Sequence, residues 1–263
     1  MIKLLGIPYD ANSSFLKGPA LAPPRIRLME RDGSANSFAE NVLEIIDGIT
    51  CQDMGDLYFD TANAEKVYGL IKQTIDENLI GQIKILCLGG DHSITFPIVE
   101  VYSKKYNGLN ILHIDAHADL YENFDDNPFS HASPFARIME KGIVNSLTQV
   151  GIRTLNKHQR EQAKKFGISI IEMKDFDFDF IKKLKGPLYI SLDLDGLDPA
   201  YAPGVSHHEP GGLSARDVIS IIQKIEVPVV GADIVEYNPT RDINNMTAMV
   251  AYKLMKELIA KMN

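Results

Sequence analysis

The chain repeats one pattern from end to end: a short run of aliphatic and β-branched residues, then a longer stretch with helical apolar spacing. IKLLGI (2–7), VLEIID (42–47), QIKILCLGG (82–90), ILHIDAHADLY (111–121), LTQVGIR (147–153), ISIIEM (168–173), PLYISLDLD (187–195) and VPVVGADIVEYNP (227–239) read as strands. Residues 23–31, 63–80, 93–106, 131–142, 157–167, 214–225 and 244–263 read as helices, with Pro97 inside the third and Ser214 as an N-cap. Apolar strands alternating with amphipathic helices demand an α/β fold: a mostly parallel sheet of about eight strands, covered on both faces. No composition shift, linker or repeat divides the chain, so residues 1–263 are expected to form a single domain. DFDFDF (175–180) alternates like a strand but is read as a solvated turn leading into a helix.

Composition narrows the partners. The 263 residues are 45% hydrophobic and 24% charged, enough for a sizeable core and unlike a disordered chain. A net charge of −8 with no Lys/Arg run argues against nucleic acid and against a membrane surface. No apolar run approaches the ~20 residues of a membrane span, and MIKLLGIPYD is too short for a signal peptide. Cys51 and Cys87 lie in no metal-binding spacing, which points to reduced thiols and a cytoplasmic protein.

Chemistry gathers where four of the strands end. One leads into Gly89-Gly90-Asp91-His92-Ser93, one carries Asp115, His117 and Asp119, one ends in Asp193, Asp195 and Asp198, and one in Asp233 and Glu236. In parallel α/β sheets, ligands collect beyond these carboxyl ends. Residues two apart on a strand share a face, so Asp115, His117 and Asp119 should converge, as should Asp193 and Asp195. A lone Asp after a strand is usually a cap or turn residue. Four acids on apolar strands would repel one another, and removing one charge from water already costs several kcal/mol. Together with His92 and His117 they make an oxygen and nitrogen set suited to Mn, Mg, Fe or Zn, and large enough for two ions sharing carboxylates. Two such ions lower the pKa of a shared water, so hydrolysis at an electrophilic carbon or phosphorus is the expected reaction class. His131, His207 and His208 are candidate proton carriers, the latter two with a loop hydrogen-bond role as the alternative. His113 is read as packed, with a supporting role to the ligands as the alternative.

GGDHS (89–93), DAHAD (115–119), SLDLDGLDPAYAPG (191–204) and DIVEYNP (233–239) resemble, in order, the four signature blocks of the ureohydrolase family, the arginases and agmatinases. The resemblance covers essentially the whole chain. SHASPFARIMEKG, QVGIRTLNKHQRE and APGVSHHEPGGLS look most like the plant-type arginase branch, close to bacterial agmatinases. It implies a three-layer α/β/α fold and two Mn²⁺ per chain. One ion would take His92, Asp115, Asp119 and Asp193, and the other Asp115, His117, Asp193 and Asp195. Hydroxide held between them would attack a guanidinium carbon, releasing urea and an amine. His131 matches the family's proton carrier. Glu236 matches the acid that pairs with the guanidinium, and Asp198 would orient ligands or the adjoining loop. Asn156 stands where animal arginases carry an acidic contact to the substrate's amino group. His207-His208 replaces a loop of small residues. Asn123, with Asn127, offers further polar contacts.

The resemblance favours L-arginine as substrate, with agmatine or another guanidino or formimidoyl acid as alternatives, and a trimeric or hexameric homo-oligomer. A single-metal deacetylase of similar fold would need fewer ligands than are present. A non-catalytic relative would be expected to have lost some of them.

Overall fold

The computed structural model describes residues 1–33 and 35–263. Eight strands form one sheet: β1 (Ile2–Ile7), β2 (Cys51–Asp56), β3 (Lys84–Gly89), β4 (Asn110–Ile114), β5 (Ser146–Ile152), β6 (Ser169–Glu172), β7 (Leu188–Asp193) and β8 (Val229–Val235). They lie in the order β2-β1-β3-β8-β7-β4-β5-β6, and every pairing is parallel. Seven α-helices connect them among the described residues: α1 (Ala22–Arg31), α2 (Ala64–Asn78), α3 (Thr95–Lys105), α4 (Pro134–Lys141), α5 (Lys157–Phe166), α6 (Ala215–Lys224) and α7 (Met246–Met262).

Strand alternation sorts these helices into two layers. Leu86, Leu88, Leu112, Ile114, Ile190 and Leu192 face a core built with α1, α6 and α7. Their strand neighbours Ile85, Cys87, Ile111 and Tyr189 face the opposite core, built with α2, α3, α4 and α5. Each such aliphatic side chain, fully buried, contributes about 1.5–3 kcal/mol. The three-layer α/β/α expectation is therefore met. Helix ends follow local chemistry: Ser214 and Asp217 form a reciprocal capping box on α6, and Gly142 and Gly167 close α4 and α5 in left-handed conformation.

The sequence reading needs five corrections. VLEIID (42–47) is not a strand. It makes only isolated bridges, Phe38 to Glu44 and Asp47 to Cys51, with Ile45 turned into the core. The strand is CQDMGD just after it, poor in β-formers, which pairs with β1 as an edge. β4 stops at Ile114 and β7 at Asp193, so Asp115, His117, Asp119 and Asp195 lie beyond the strands. The fourth helix begins at Pro134, leaving His131 in the preceding turn. Asp233 is an interior residue of β8, not an end residue. DFDFDF lies between short 3-10 turns at Met173–Asp175 and Asp179–Lys183, in line with the turn reading, with Phe180 buried.

The strand order matters most for function. β3, β8, β7 and β4 are consecutive in the sheet although they are scattered along the chain. Their four carboxyl-terminal loops therefore meet above the middle of the sheet.

Candidate metal centre

His92 opens the loop after β3. Gly90 lets that loop cross the β1 exit closely: a Cβ there would fall 1.8 Å from the Tyr9 carbonyl oxygen. His92 is 1% exposed, and its Nδ1 lies 3.1 Å from Oδ2 of each of Asp115, Asp119 and Asp193. That nitrogen has no hydrogen-bond partner. The other ring nitrogen explains why. Tyr189, Thr95 and Ser191 all donate hydroxyl hydrogens to the buried Asp233 carboxylate. The Ser191 hydrogen is thereby spent, so its Oγ accepts from His92 Nε2–H at 2.9 Å. His92 thus presents a bare lone pair to three acidic oxygens, an arrangement that calls for a cation. Ligands at right angles about one small divalent ion stand about 3 Å apart, so the 3.1 Å spacing fits one.

A second cluster adjoins the first. His117 Nδ1 lies 3.0 Å from Asp195 Oδ2 and 3.4 Å from Asp115 Oδ1. Asp115 belongs to both groupings of metal-ligating side chains, one with His92, His113 and Asp119 and one with His117 and Asp195. His113 is nevertheless an unsuitable ligand. The Gln149 side-chain amide must turn its Nε2 toward the Ala118 carbonyl at 2.7 Å, and the same nitrogen donates to His113 Nδ1 at 2.9 Å. His113 therefore carries its hydrogen on Nε2 and donates it to Asp115 Oδ2 at 2.7 Å. Asp193 takes the place that His113 leaves. His113 is packed as expected, stacked on Phe135 with ring centroids 3.9 Å apart. It also touches Asp115, two residues on and on the same face by strand alternation.

The loops reach this geometry by turns rather than by strand pleat. Asp115 Oδ1 accepts from the His117 backbone N–H, and Asp193 Oδ1 accepts from that of Asp195. Asp119 and Glu236 adopt left-handed backbone conformations, φ 51° and 64°. Such positions cost a non-glycine residue about 1 kcal/mol or more and cluster at functional sites. Gly196 allows the Asp195 turn to press on Asp115, since a Cβ would lie 2.9 Å from its backbone nitrogen. Arg153 ties that turn down by donating to the carbonyls of Asp195, Gly196 and Leu197.

The electrostatics point the same way. Burial, with Asp195 and Asp115 beside it, pushes the Asp193 carboxyl well up, and burial also raises Asp195. Burial opposes charge on His92 and His117, but the surrounding carboxylates outweigh it and raise both. Asp193, Asp195, His92 and His117 thus all hold a proton more tightly than usual when no cation is present. The residues present therefore fit a pair of divalent cations.

Above the cluster opens a cleft of about 210 Å³ lined by His117, Asp119, Asp193, Asp195, His131, His207 and Glu236, with Ser14, Tyr121, Phe124, Ala132, Thr154 and Gln159. Glu236 Oε1 accepts from the His92 backbone N–H at 2.9 Å and from His131 Nδ1 at 2.8 Å, while its buried Oε2 has no partner. Burial works against the Glu236 charge, but His131 and the His92 N–H keep it ionised. Burial likewise opposes charge on His131, yet Glu236 raises it from 6.5 to about 9.

Not every expected residue reaches the cleft. His207 lines it, 5.6 Å from both the His117 and His131 rings. His208 instead bonds the Pro203 carbonyl at 2.7 Å, the loop role. Asn123 is exposed and lines no part of the cleft. Asn156 also stays outside: its Oδ1 caps α5 at Gln159 N–H and its Nδ2 donates to Tyr121 Oη. Asp198 accepts from the Ala200, Gly211 and Gly212 backbone, holding the loop that carries His207. Asn127 caps a turn at Phe129 N–H. Ser14, Tyr121, Thr154 and Gln159 went unrecognised as cleft residues because they belong to no chemical motif. Ser191 and Gln149 left no signal in the sequence: they lie in register with Asp233 and His113 on neighbouring strands, which only the sheet order brings about.

A wholly parallel α/β sheet with a two-cation cluster beyond its central strands defines a class of metal-dependent hydrolase. Comparison with known proteins narrows that class. A family model described as the arginase family matches residues 1–260. Arginase 1, mitochondrial, of Arabidopsis thaliana is 47% identical over 275 residues, 99% of this chain and 80% of its own. An agmatinase of Bacillus cereus is 30% identical over 269 residues, 98% of this chain and 90% of its own. The solved arginase of Medicago truncatula superimposes with a TM-score of 0.92 at 44% identity, covering 99% of this chain and 87% of the other. The chain belongs to the arginase family.

Proposed function

We propose that this protein hydrolyses L-arginine to L-ornithine and urea at a pair of Mn²⁺ ions. His92, Asp115, Asp119 and Asp193 would hold one ion and Asp115, His117, Asp193 and Asp195 the other. The observation that carries this reading is the bare His92 Nδ1 facing three carboxylate oxygens at 3.1 Å. When bound, the two ions supply a nucleophile from water at neutral pH.

The chain's own groups account for the rest. Glu236 offers its unpartnered Oε2 to a cationic guanidinium, a charge-assisted contact in a site shielded from water. Glu236 lines the cleft together with His131, Asp193 and Asp195. His131 holds a proton between Glu236 and Ser14 and can deliver it to the departing amine. Gln159 Oε1, buried in the cleft wall without a partner, is an acceptor for the α-ammonium that arginine has and agmatine lacks. Asn156 would act only through Tyr121. The greater identity to the plant arginase than to the Bacillus cereus agmatinase supports the same substrate. Among the described residues no helix is long and apolar enough to cross a membrane. The chain's two free, buried cysteines support a cytoplasmic setting, and the family pattern supports a homo-oligomer, a trimer or hexamer, of single-domain chains.

The test is urea release from arginine, agmatine and guanidinobutyrate by manganese-loaded protein, with metal content measured on the same sample. Arginine should turn over fastest, with two ions per chain. Faster turnover of agmatine would reassign the substrate, and no turnover of any guanidino compound would defeat the reading.

A further inference from the structure

Ser14 stands at the cleft wall on the loop between β1 and α1, far in sequence from every ligand. Its Oγ lies 2.8 Å from His131 Nε2. With Nδ1 bonded to Glu236, both His131 nitrogens are engaged. The contact is built rather than incidental, because the loop is pinned at several points. Asp91, next to His92 in the chain, accepts from Asn12 N–H at 3.0 Å and from Ser13 Oγ at 3.3 Å. Asn12 Nδ2 donates to Ser93 Oγ, and the Asn12 carbonyl accepts from His131 N–H. Asp10 Oδ2 accepts from Gly18 and Ala20 N–H, closing the loop on itself. The segment flanking the metal ligand His92 thus places Ser14 against His131.

A hydroxyl suits this position because it both donates and accepts. When His131 carries a proton on each nitrogen, Ser14 Oγ accepts from Nε2–H. Once the Nε2 proton has left, the hydroxyl can turn and donate to the bare nitrogen. Glu236 can serve Nδ1–H throughout. The ring is then held in one orientation in both protonation states.

We propose that Ser14 is a positioning residue for His131, keeping its imidazole aligned between Glu236 and the cleft before and after it gives up a proton. The inference rests on the proposed hydrolase reading, in which His131 is the proton carrier. The test compares wild type, Ser14→Ala, Ser14→Thr, His131→Asn and the double variant of His131→Asn with Ser14→Ala, each checked for metal content and melting temperature. Ser14→Ala should lower kcat for arginine by about tenfold to a hundredfold, part of the 10²–10⁴ that a positioned proton donor contributes. KM should change less than about twofold, Ser14→Thr should recover most of the loss, and Ser14→Ala should cost nothing further once His131 is Asn. Wild-type kcat in Ser14→Ala, or an undiminished loss in the His131→Asn background, overturns the proposal. If the wild type hydrolyses no guanidino compound, the functional reading falls, and the contact is judged by ¹⁵N imidazole NMR of the zinc-loaded protein. A His131 Nε2 resonance that moves in Ser14→Ala supports the positioning role, and an unmoved one overturns it.

Discussion

The two halves of the cation cluster are built differently. The His92 half is sealed: the ring is 1% exposed, fenced at equal distance by three carboxylates and fixed from behind by Ser191 and Asp233. The His117 half is open: its ring is 24% exposed, its two acidic neighbours lie at unequal distances, and its Nε2 faces only Glu209 at 3.8 Å. A second row of partners fixes ring orientation and protonation, and such rows are worth about 10–100-fold in metal affinity. One half is therefore organised before a cation arrives, and the other gains order from it. The open half also presents its histidine to the cleft, which His92 does not reach.

Removing a shared ligand should have the largest effect, because it erases the comparison. Asp115→Ala should empty both halves and lower arginine turnover by more than the about 100-fold that outer partners cost, with elemental analysis showing under one ion per chain. His117→Ala should separate the halves. It should retain one ion of the expected two, held by the His92 side, and an emptied protein would show that the halves do not stand alone. Ser191→Ala should weaken the sealed half alone by about 10–100-fold, read as the chelator concentration that strips the tighter ion.

Acidity should act on the two states in opposite directions. His92 and His117 are raised above 6.5 in the folded, ion-free protein, and His131 is raised to about 9. Groups raised on folding stabilise fully below their unfolded pKa and lose that contribution as pH climbs through the folded one. The melting temperature of chelator-treated protein should therefore fall as pH rises from about 6.5 toward 9. Manganese binding requires deprotonated ligands, so the stabilisation it adds should grow over the same range. Parallel curves with and without the ion would contradict the cluster. The smallest effect belongs to the rim. Asn156→Ala should remove a helix cap for about 1 kcal/mol of stability and leave both metal affinities unchanged.

Legibility followed locality. β3, β4, β7 and β8 announced themselves because they are rich in aliphatic and β-branched residues, and the six candidate ligands were visible because acids and imidazoles are conspicuous beside such segments. The edge strand β2 was not visible. CQDMGD lacks the residues that favour strands and is extended because β1 offers it a ladder, whereas VLEIID has strand composition but finds only isolated bridges. The convergence of Asp115, His117 and Asp119 was anticipated for the wrong reason: strand alternation was invoked where the chain had already left the sheet. Asn156, expected from the resemblance at a substrate contact, is a helix cap in the structure, and Asn suits both roles.

By itself, the amino-acid order determined the layered architecture and the chemistry of the site, since periodicity and donor type are properties of short segments. Only the tertiary structure decided that the four acidic loops are neighbours, because strand order depends on crossovers that leave no local mark. It also decided which nitrogen of each imidazole is bare. That choice is made by hydrogen-bond partners such as Ser191, Asp233 and Gln149, brought alongside from other strands.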